Sequence, residues 1–222
     1  MNCIRERTDK PFGDIAMEKG NTKQKILNVA LDLFSTQGYE ATSVSQIAEA
    51  VGIRKASLYS HFASKQEILD ALVDNVFEEY DKRSIFASAD WDNPDFTKDK
   101  QNLTPDVILQ MVLGQIRYIL HDPQISKSRK MLTIEQFQNP TLKKLQTKQN
   151  YTNVMRYFTG MISFLIRQGK LKNSDPEIMA AQFCLPVSVW LNLCDREPER
   201  ESEIMGLIER HVMQFFKTYG EQ

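Results

Sequence analysis

The sequence of 222 residues predicts an all-α fold. Apolar residues recur at intervals of three and four, as in Tyr151, Met155, Phe158 and Ile162, and this spacing is typical of one helix face. No stretch alternates apolar and polar residues as a strand does, and no Asn-Gly or Asp-Gly pair indicates a hairpin. Helices are therefore the regular elements that the pattern supports.

The first two predicted helices lie near the N-terminus. Helix 1 is expected over residues 22–37, with Ile26 and Phe34 on one face and Gly38 as a left-handed C-cap. Helix 2 is expected to begin after Ser43, because Gln46 stands three residues later and completes a capping box.

The segment "VSQIAEAVGIRKASLYSHF", residues 44–62, has the spacing of a helix-turn-helix. Ile47 and Val51 are one turn apart and are expected to pack on helix 1. Gly52 stands at the turn, where a positive φ is needed. Leu58 then anchors a second, short helix on the same core. The pattern predicts a three-helix N-terminal domain.

The outward face of this second helix is polar and basic, because Ile53, Leu58 and Phe62 are expected to point inward. Arg and Lys pair with phosphates or guanine edges, and Ser, Tyr and His donate to phosphates. Ser43 and Lys65 stand at the starts of two predicted helices, where backbone N–H groups favour an anion. These arguments predict a DNA-binding site at Ser43, Arg54, Lys55, Ser57, Tyr59, Ser60, His61 and Lys65.

Residues 22–69 resemble the N-terminal DNA-binding domain of the TetR (tetracycline repressor) family. The resemblance is carried by "ILNVALDLF" and "GY" of helix 1, the "TSVSQIA" entry to helix 2, and "VGIRKASLYSHFASK". Ala56 departs from the pattern, since many members have glycine there. The resemblance implies a homodimeric repressor with a ligand-binding C-terminal domain, and it implies DNA contacts at Ser45, Lys55, Ser57, Tyr59, His61 and Lys65.

We expect three segments: a flexible N-terminal tail (1–20), the helix-turn-helix DNA-binding domain (21–66), and a helical ligand-binding and dimerisation domain (67–222). The tail is polar and charged, and Met17 is an alternative start. A second interpretation of the tail is a basic arm, in which Arg5, Arg7 and Lys10 reach the minor groove.

Helix 4 and five further helices are expected after the helix-turn-helix. Helix 4 begins after Ser64, runs to about Phe86 and joins the two domains. Residues 87–105 are expected to form a linker or a flap. Proline follows a capping residue four times, a pattern typical of helix starts at Thr104, Asp122, Asn139 and Asp175. The resulting helices cover 105–120, 124–138, 140–168, 176–194 and 199–219.

Two binding surfaces are predicted in the C-terminal domain. A mixture of methionine, aromatic and hydrogen-bonding residues suits an adaptable cavity, although the same stripes also occur in ordinary cores. The candidate cavity residues are Met111, Gln115, Tyr118, Met131, Tyr157, Met161, Phe164 and Trp190. The last two helices are expected to form a four-helix bundle with a second copy. The candidate interface residues are Phe183, Val187, Ile204, Ile208, Val212, Phe215 and Phe216.

Several classes of protein are excluded by composition and motifs. The net charge of −1 restricts any nucleic-acid contact to a local patch. The three cysteines form no disulfide framework, and no metal-ligand, phosphate-loop or nucleophile motif is present. We therefore expect no enzyme, no cofactor and no bound metal. Without a signal or a membrane-spanning run, we expect a cytoplasmic protein with no membrane partner.

The expected function is a homodimeric transcriptional repressor that a small-molecule inducer releases from a palindromic operator. Its partners are then double-stranded operator DNA, a second copy of the chain and an inducer of unidentified chemistry. The alternative is a DNA-binding architectural protein of the same fold with no inducer.

Overall fold

The computed structural model describes residues 12–83, 85–86 and 89–221, and it describes side chains from residue 21 onward except at 76–81 and 83. The α-helices are α1 Phe12–Gln37, α2 Val44–Val51, α3 Lys55–Tyr59, α4 Lys65–Arg83, α5 Pro94–Thr97, α6 Pro105–His121, α7 Pro123–Glu135, α8 Pro140–Thr147, α9 Asn153–Arg167, α10 Pro176–Arg196 and α11 Glu201–Tyr219. These described residues contain no strand beyond one isolated bridge between Leu171 and Gly220. The all-α prediction is confirmed.

The chain forms two compact units, of which the first ends at Asn75 and the second begins at Val76. The division therefore falls inside α4, whereas the sequence suggested a boundary after residue 66. The first turns of α4 belong to the first unit because Ile68, Leu69 and Leu72 are buried.

The first unit is built on one face of α1. Ile26, Ala30 and Phe34 follow one another at intervals of four and are fully buried. Gly38 ends the helix with φ +88°, and Tyr39 packs edge-on to Phe34 with ring centroids 5.3 Å apart. Both features agree with the predicted C-cap.

Helix α1 begins ten residues earlier than predicted. Residues 12–20, which were expected to belong to the flexible tail, are helical. Residues 1–11 lie outside the described part of the chain. The alternative basic arm at Arg5, Arg7 and Lys10 lies there too.

The helix starts of the second unit follow the predicted caps. Side-chain oxygens of Thr104, Asp122, Asn139 and Asp175 each accept a hydrogen bond from a backbone N–H in the first turn of α6, α7, α8 and α10 respectively. Proline at the first helical position has no N–H to satisfy, so each start leaves one donor fewer unpaired.

Residues 140–167 form one continuous helix, as predicted, but it contains an unpredicted π-helical turn at Lys148–Thr152 between α8 and α9. A π turn widens the hydrogen-bond pattern from i→i+4 to i→i+5, and such turns are frequent at functional sites. The turn changes which residues of the helix point into the domain.

Residues 87–105 were expected to form a linker or a flap. The described part of this segment packs on the core of the second unit, to which it belongs. Trp91 is buried and meets Phe96 of α5 and Phe164 of α9, at centroid distances of 5.3 and 5.7 Å. Gly160 makes this packing possible, because a Cβ atom there would lie 2.7 Å from Cδ1 of Trp91.

The core of the second unit corrects the predicted dimer interface. Six of the seven candidate residues are buried within the single chain: Phe183, Val187, Ile204, Ile208, Val212 and Phe215. Phe183 of α10 and Phe215 of α11, for example, pack edge-to-face at 4.9 Å. Side chains buried by their own chain cannot form a contact between two chains, so this stripe is core. Phe216 is partly exposed.

Helix α10 is also the one described helix that is long and apolar enough to cross a membrane by length and composition. Core helices pass the same test, and Met179, Ala180 and Phe183 of α10 are buried in the core of the second unit. The two cysteines of α10, Cys184 and Cys194, are free and buried.

Candidate DNA-binding surface and ligand cavity

The turn between α2 and α3 has the geometry of a helix-turn-helix. Gly52 adopts φ +81°, as the sequence predicted. Its N–H donates to the carbonyl oxygen of Glu49 at 3.0 Å, and the N–H of Ile53 donates to that of Ala48 at 2.9 Å. These bonds satisfy carbonyls at the end of α2 and turn the chain toward α3.

Helix α3 is anchored by its apolar face. Leu58 and, just after the helix, Phe62 are buried, while Ile53 is only partly buried. The ammonium group of Lys23 on α1 lies 5.0 Å from the centre of the Phe62 ring. The opposite face of α3 is consequently held toward solvent.

The predicted DNA-binding residues are mostly on this open side. Seven of the nine are exposed, and they are Ser43, Ser45, Arg54, Lys55, Ser57, Tyr59 and Ser60. The Tyr59 side chain is 45% exposed, although large aromatic rings are usually covered in a folded domain. His61 is partly exposed. A half-exposed ring beside two cations suits contact with a polyanionic partner.

Two serines of the site already take part in hydrogen bonds. Ser43 Oγ accepts from the N–H of Gln46 at 3.2 Å, and the Gln46 side chain accepts from the N–H of Ser43 at 2.7 Å, which is the predicted capping box. The hydroxyl proton of Ser43 is therefore not used in the capping box. Ser60 instead donates its proton to the carbonyl oxygen of Ser57 at 2.7 Å.

Lys65 has a structural role that the sequence did not indicate. Its ammonium group donates to the carbonyl oxygens of Tyr39, Thr42 and Glu40 at 2.8, 3.0 and 3.4 Å, and it lies 4.1 Å from the centre of the Tyr39 ring. An ammonium group has three protons, and all three are used here. Lys65 thus fastens the start of α4 to the loop between α1 and α2.

The second unit contains a cavity with a volume of about 110 Å³. Four of the eight predicted residues line it, and they are Met111, Gln115, Tyr157 and Met161. The other four, Tyr118, Met131, Phe164 and Trp190, are not part of its wall. Phe164 packs against Trp91, and Trp190 packs against His211 at 5.4 Å.

The cavity wall also contains polar residues that sequence analysis missed. Gln149 and Asn150 belong to the π turn, and Arg129 belongs to α7. The burial of Arg129 could have been predicted from its spacing. It follows Ile125 by four residues and precedes Leu132 by three, so all three residues lie on one face of the helix. No sequence signal indicated the π turn.

Arg129 is paired with Asp195 of α10. One terminal nitrogen of the guanidinium donates to Oδ1 of Asp195 at 2.6 Å, and the other contacts Oδ2. Burial lowers the pKa of Arg129 and raises the pKa of Asp195, against the attraction between them. Burial also raises the pKa of Tyr157 to about 12, so its phenol is protonated at neutral pH.

Within the described ranges, no group of three or more His, Cys, Asp or Glu side chains is arranged to hold a metal ion.

Comparison with known proteins agrees with the geometry of the first unit. Residues 26–72 match the family model described as bacterial regulatory proteins, tetR family. This part of the chain is therefore similar to regulators of the TetR family. The match covers α2, α3 and parts of α1 and α4, which together form the helix-turn-helix and its support.

Two curated transcriptional regulators are similar to the N-terminal part of this chain. The biofilm operon negative transcriptional regulator IcaR of Staphylococcus epidermidis is 46% identical over 55 residues, which are 25% of this chain and 30% of that protein. The transcriptional repressor KstR2 of Rhodococcus jostii is 40% identical over 82 residues, or 35% and 39% of the two chains. The matched segments thus span less than two fifths of either relative.

The whole fold is similar to solved structures at low sequence identity. SmeT, the repressor of the Stenotrophomonas maltophilia multidrug efflux pump SmeDEF, aligns over 92% of this chain and 93% of its own, with a TM-score of 0.63 and 17% identity. At this identity the likeness concerns the fold.

Proposed function

We propose that this chain is a cytoplasmic, homodimeric transcriptional repressor of the TetR family that binds a near-palindromic operator and is released by a small-molecule inducer. The observation that carries the proposal is the exposed face of α3, where Arg54, Lys55, Ser57 and Tyr59 lie together on a helix anchored by Leu58. Repression, rather than activation, is favoured by the similarity to IcaR and KstR2, which are named as a negative regulator and a repressor.

The operator should reflect the symmetry of the dimer. Two α3 helices would enter successive major grooves, about 34–36 Å apart. Phosphate contacts release counterions, so log affinity should fall against log salt with a slope of about −0.9 per phosphate contacted. Arg54 and Lys55 supply the cations of α3 and its N-cap for these contacts.

The dimer face is proposed to use the outer sides of α10 and α11. Val189 is 63% exposed, and Met213 is also exposed. Trp190 and Phe216 are partly exposed and extend this apolar surface. These residues replace the buried stripe as the proposed contact between two copies.

The inducer is proposed to bind in the cavity of the second unit. A similar structure, SmeT, is also known as a complex with triclosan. Helix α4 runs from Lys65 in the first unit to Arg83 in the second. A single helix therefore links the unit that contains α3 to the unit that contains the cavity. A ligand that favours one arrangement of α4 would shift the dimer toward a spacing that does not fit the operator.

The test is a fluorescence-anisotropy titration of the full chain against duplex DNA from upstream of its own gene, at 50 and 200 mM salt. Tyr59→Ala removes the exposed ring of α3. Tyr151→Ala is the matched control, because Tyr151 is also an exposed tyrosine but lies in the second unit.

Wild type and Tyr151→Ala should bind this DNA tightly and lose affinity with salt, while Tyr59→Ala should bind at least ten-fold more weakly. Equal binding of operator and random duplexes by all three proteins would contradict the repressor and favour the architectural alternative. The presence of a cavity is the observation that weighs against that alternative.

A further inference from the structure

We propose that the cavity selects a neutral or anionic apolar molecule that carries hydrogen-bond acceptor oxygens, and that Gln115, Gln149 and Arg129 bind those oxygens. The proposal rests on the proposed function for its biological meaning, since it names the chemical class of the inducer. The binding step itself involves only the second unit.

The first support is a set of buried donors on the cavity wall that have no partner. Nε2 of Gln115, Nε2 of Gln149 and Nε of Arg129 have no hydrogen-bond acceptor among the described residues. All three residues line the cavity, and their exposed fractions are only 8%, 6% and 8%. Buried polar groups are nearly always hydrogen-bonded, so three unpaired donors around one space indicate that the acceptor arrives with the ligand.

The second support is that neighbouring polar groups on the wall are already engaged. Ser128 donates to the carbonyl oxygen of Gln124 at 2.6 Å, and Ser188 donates to that of Cys184 at 3.4 Å. Asn150 donates to Oε1 of Gln146 at 2.6 Å. Among the described residues, the buried unpaired atoms of this wall are N–H donors. The complementary ligand group is an acceptor such as a carbonyl, phenolate or carboxylate oxygen.

The third support is the charge of the wall. No Asp or Glu side chain lines the cavity in the described part of the chain, whereas Arg129 does. Asp195 accepts a hydrogen bond from one terminal nitrogen of Arg129 and forms an ion pair with the other. That second terminal nitrogen and Nε have no hydrogen-bond acceptor among the residues described. An ammonium ligand would lose its hydration without gaining a counter-charge, so cationic molecules are disfavoured.

The body of the ligand must be apolar. Ile108, Val112, Ile116, Ile119, Phe158 and Phe183 contribute to the wall. The space is several times the roughly 10–15 Å³ that one water centre needs. These dimensions and surfaces suit a compact ring system rather than a sugar or a peptide.

The experiment is isothermal titration calorimetry of the full chain, in the absence of DNA, with four probes on one ring system. The probes are 2-naphthoate, 2-acetylnaphthalene, naphthalene and 2-naphthylmethylammonium. We expect the carboxylate and the ketone to bind at least ten-fold more tightly than naphthalene, and the ammonium to give no measurable binding at 1 mM.

Two double variants separate the roles of the donors. Gln115→Met with Gln149→Met removes both amide donors at nearly constant volume and should weaken the ketone at least ten-fold while leaving naphthalene unchanged. Arg129→Gln with Asp195→Asn removes the ion pair as a unit, so no carboxylate is left unpaired, and should weaken binding of 2-naphthoate more than binding of 2-acetylnaphthalene. Circular dichroism and thermal melts establish that each variant is folded.

Three results would overturn the proposal: ammonium binding as tight as carboxylate binding, equal affinities for naphthalene and 2-acetylnaphthalene, or no binding of any probe at 1 mM. If the Arg129 double variant does not fold, the affinities of the Gln115 and Gln149 double variant for the ketone and naphthalene alone test the proposal. Because DNA is absent, this result is independent of whether the chain binds an operator, and a failure of the DNA-binding proposal would be recognised separately.

Discussion

Lys55 and Lys65 illustrate how two lysines of one predicted site acquire different roles. Lys55 is exposed on α3, whereas the ammonium group of Lys65 donates to three backbone carbonyls. The sequence pattern predicted that both lysines contact DNA. It could not distinguish them, because the carbonyls that engage Lys65 belong to residues 39, 40 and 42, more than twenty positions away.

The first prediction concerns these two lysines. Lys65→Met should lower the free energy of unfolding by about 1–3 kcal/mol, because the carbonyls of the loop lose their donor. Lys55→Met should change it by less than about 0.5 kcal/mol, as is usual for an exposed side chain, and should instead weaken operator binding and reduce the salt slope by about 1. Urea unfolding and anisotropy titrations measure the two effects. Equal stability of both variants would contradict the role of Lys65.

The second prediction concerns pH and Tyr157. Its pKa is raised to about 12 by burial, against 10.0 in an unfolded chain. The folded phenol therefore stays protonated while the unfolded one ionises, so the stability it contributes is present below pH 10 and is lost as pH rises toward 12. Tyr157→Phe should reduce the loss of unfolding free energy between pH 9 and pH 11 by about 1 kcal/mol.

Urea unfolding at a series of pH values measures this difference. Tyr151→Phe is the control, because Tyr151 is exposed, and it should keep the wild-type pH dependence. If Tyr157→Phe and wild type lose stability in parallel, the phenol is not buried in the native protein.

At the scale of helices, the third prediction concerns two glycines within α-helices. A Cβ at Gly160 of α9 would lie 2.7 Å from Trp91, whereas a Cβ at Gly114 of α6 would meet nothing within 4 Å. Gly160→Ala should therefore destabilise the second unit by about 1–3 kcal/mol through overpacking. Gly114→Ala should stabilise it by about 0.5–1 kcal/mol, since alanine favours a helix over glycine.

Thermal and urea unfolding of the two variants, side by side, compare the same substitution in the presence and absence of a neighbour. Trp91 fluorescence provides a second measure, because the indole ring must move to admit the new methyl group. Stabilisation by Gly160→Ala would show that the segment around Trp91 does not pack on α9.

The helix boundaries differ in how far local sequence determines them. The starts after Thr104, Asp122, Asn139 and Asp175 were predicted correctly, because a cap and the following proline act within one turn of chain. The π turn at Lys148–Thr152 and the burial of Trp91 were not predicted. Both depend on contacts with residues that are distant in sequence, and neither leaves a periodic signal in the chain.

At the scale of the whole molecule, the apolar stripes of α10 and α11 were assigned to the wrong partner. A stripe such as Ile204, Ile208 and Val212 indicates that a helix face is buried, but it does not reveal whether the covering surface belongs to the same chain or to another. The same ambiguity affected the cavity. Half of its predicted residues line it, including Gln115, but the polar residues Gln149 and Arg129 were found only in the structure.

The fourth prediction tests the revised dimer face. Val189→Glu combined with Met213→Glu should leave the chain folded and shift it toward monomer at micromolar concentration, because both side chains are exposed in the single chain. Ile208→Glu should unfold the second unit instead, since a charge would be buried in the core. Sedimentation velocity and circular dichroism distinguish these results. An unchanged sedimentation coefficient for the double variant would place the interface elsewhere.

The central claim is that α3 reads DNA, and in-vitro selection from a randomised duplex library tests it without assuming an operator. Wild-type protein should enrich a near-palindrome with half-site centres about 10–10.5 base pairs, or a multiple, apart. Tyr59→Ala should fail to enrich it, while Tyr151→Ala should recover the same sequence as wild type. Enrichment of an identical motif by Tyr59→Ala, or of no motif by wild-type protein, would contradict the assignment of α3 as the recognition helix.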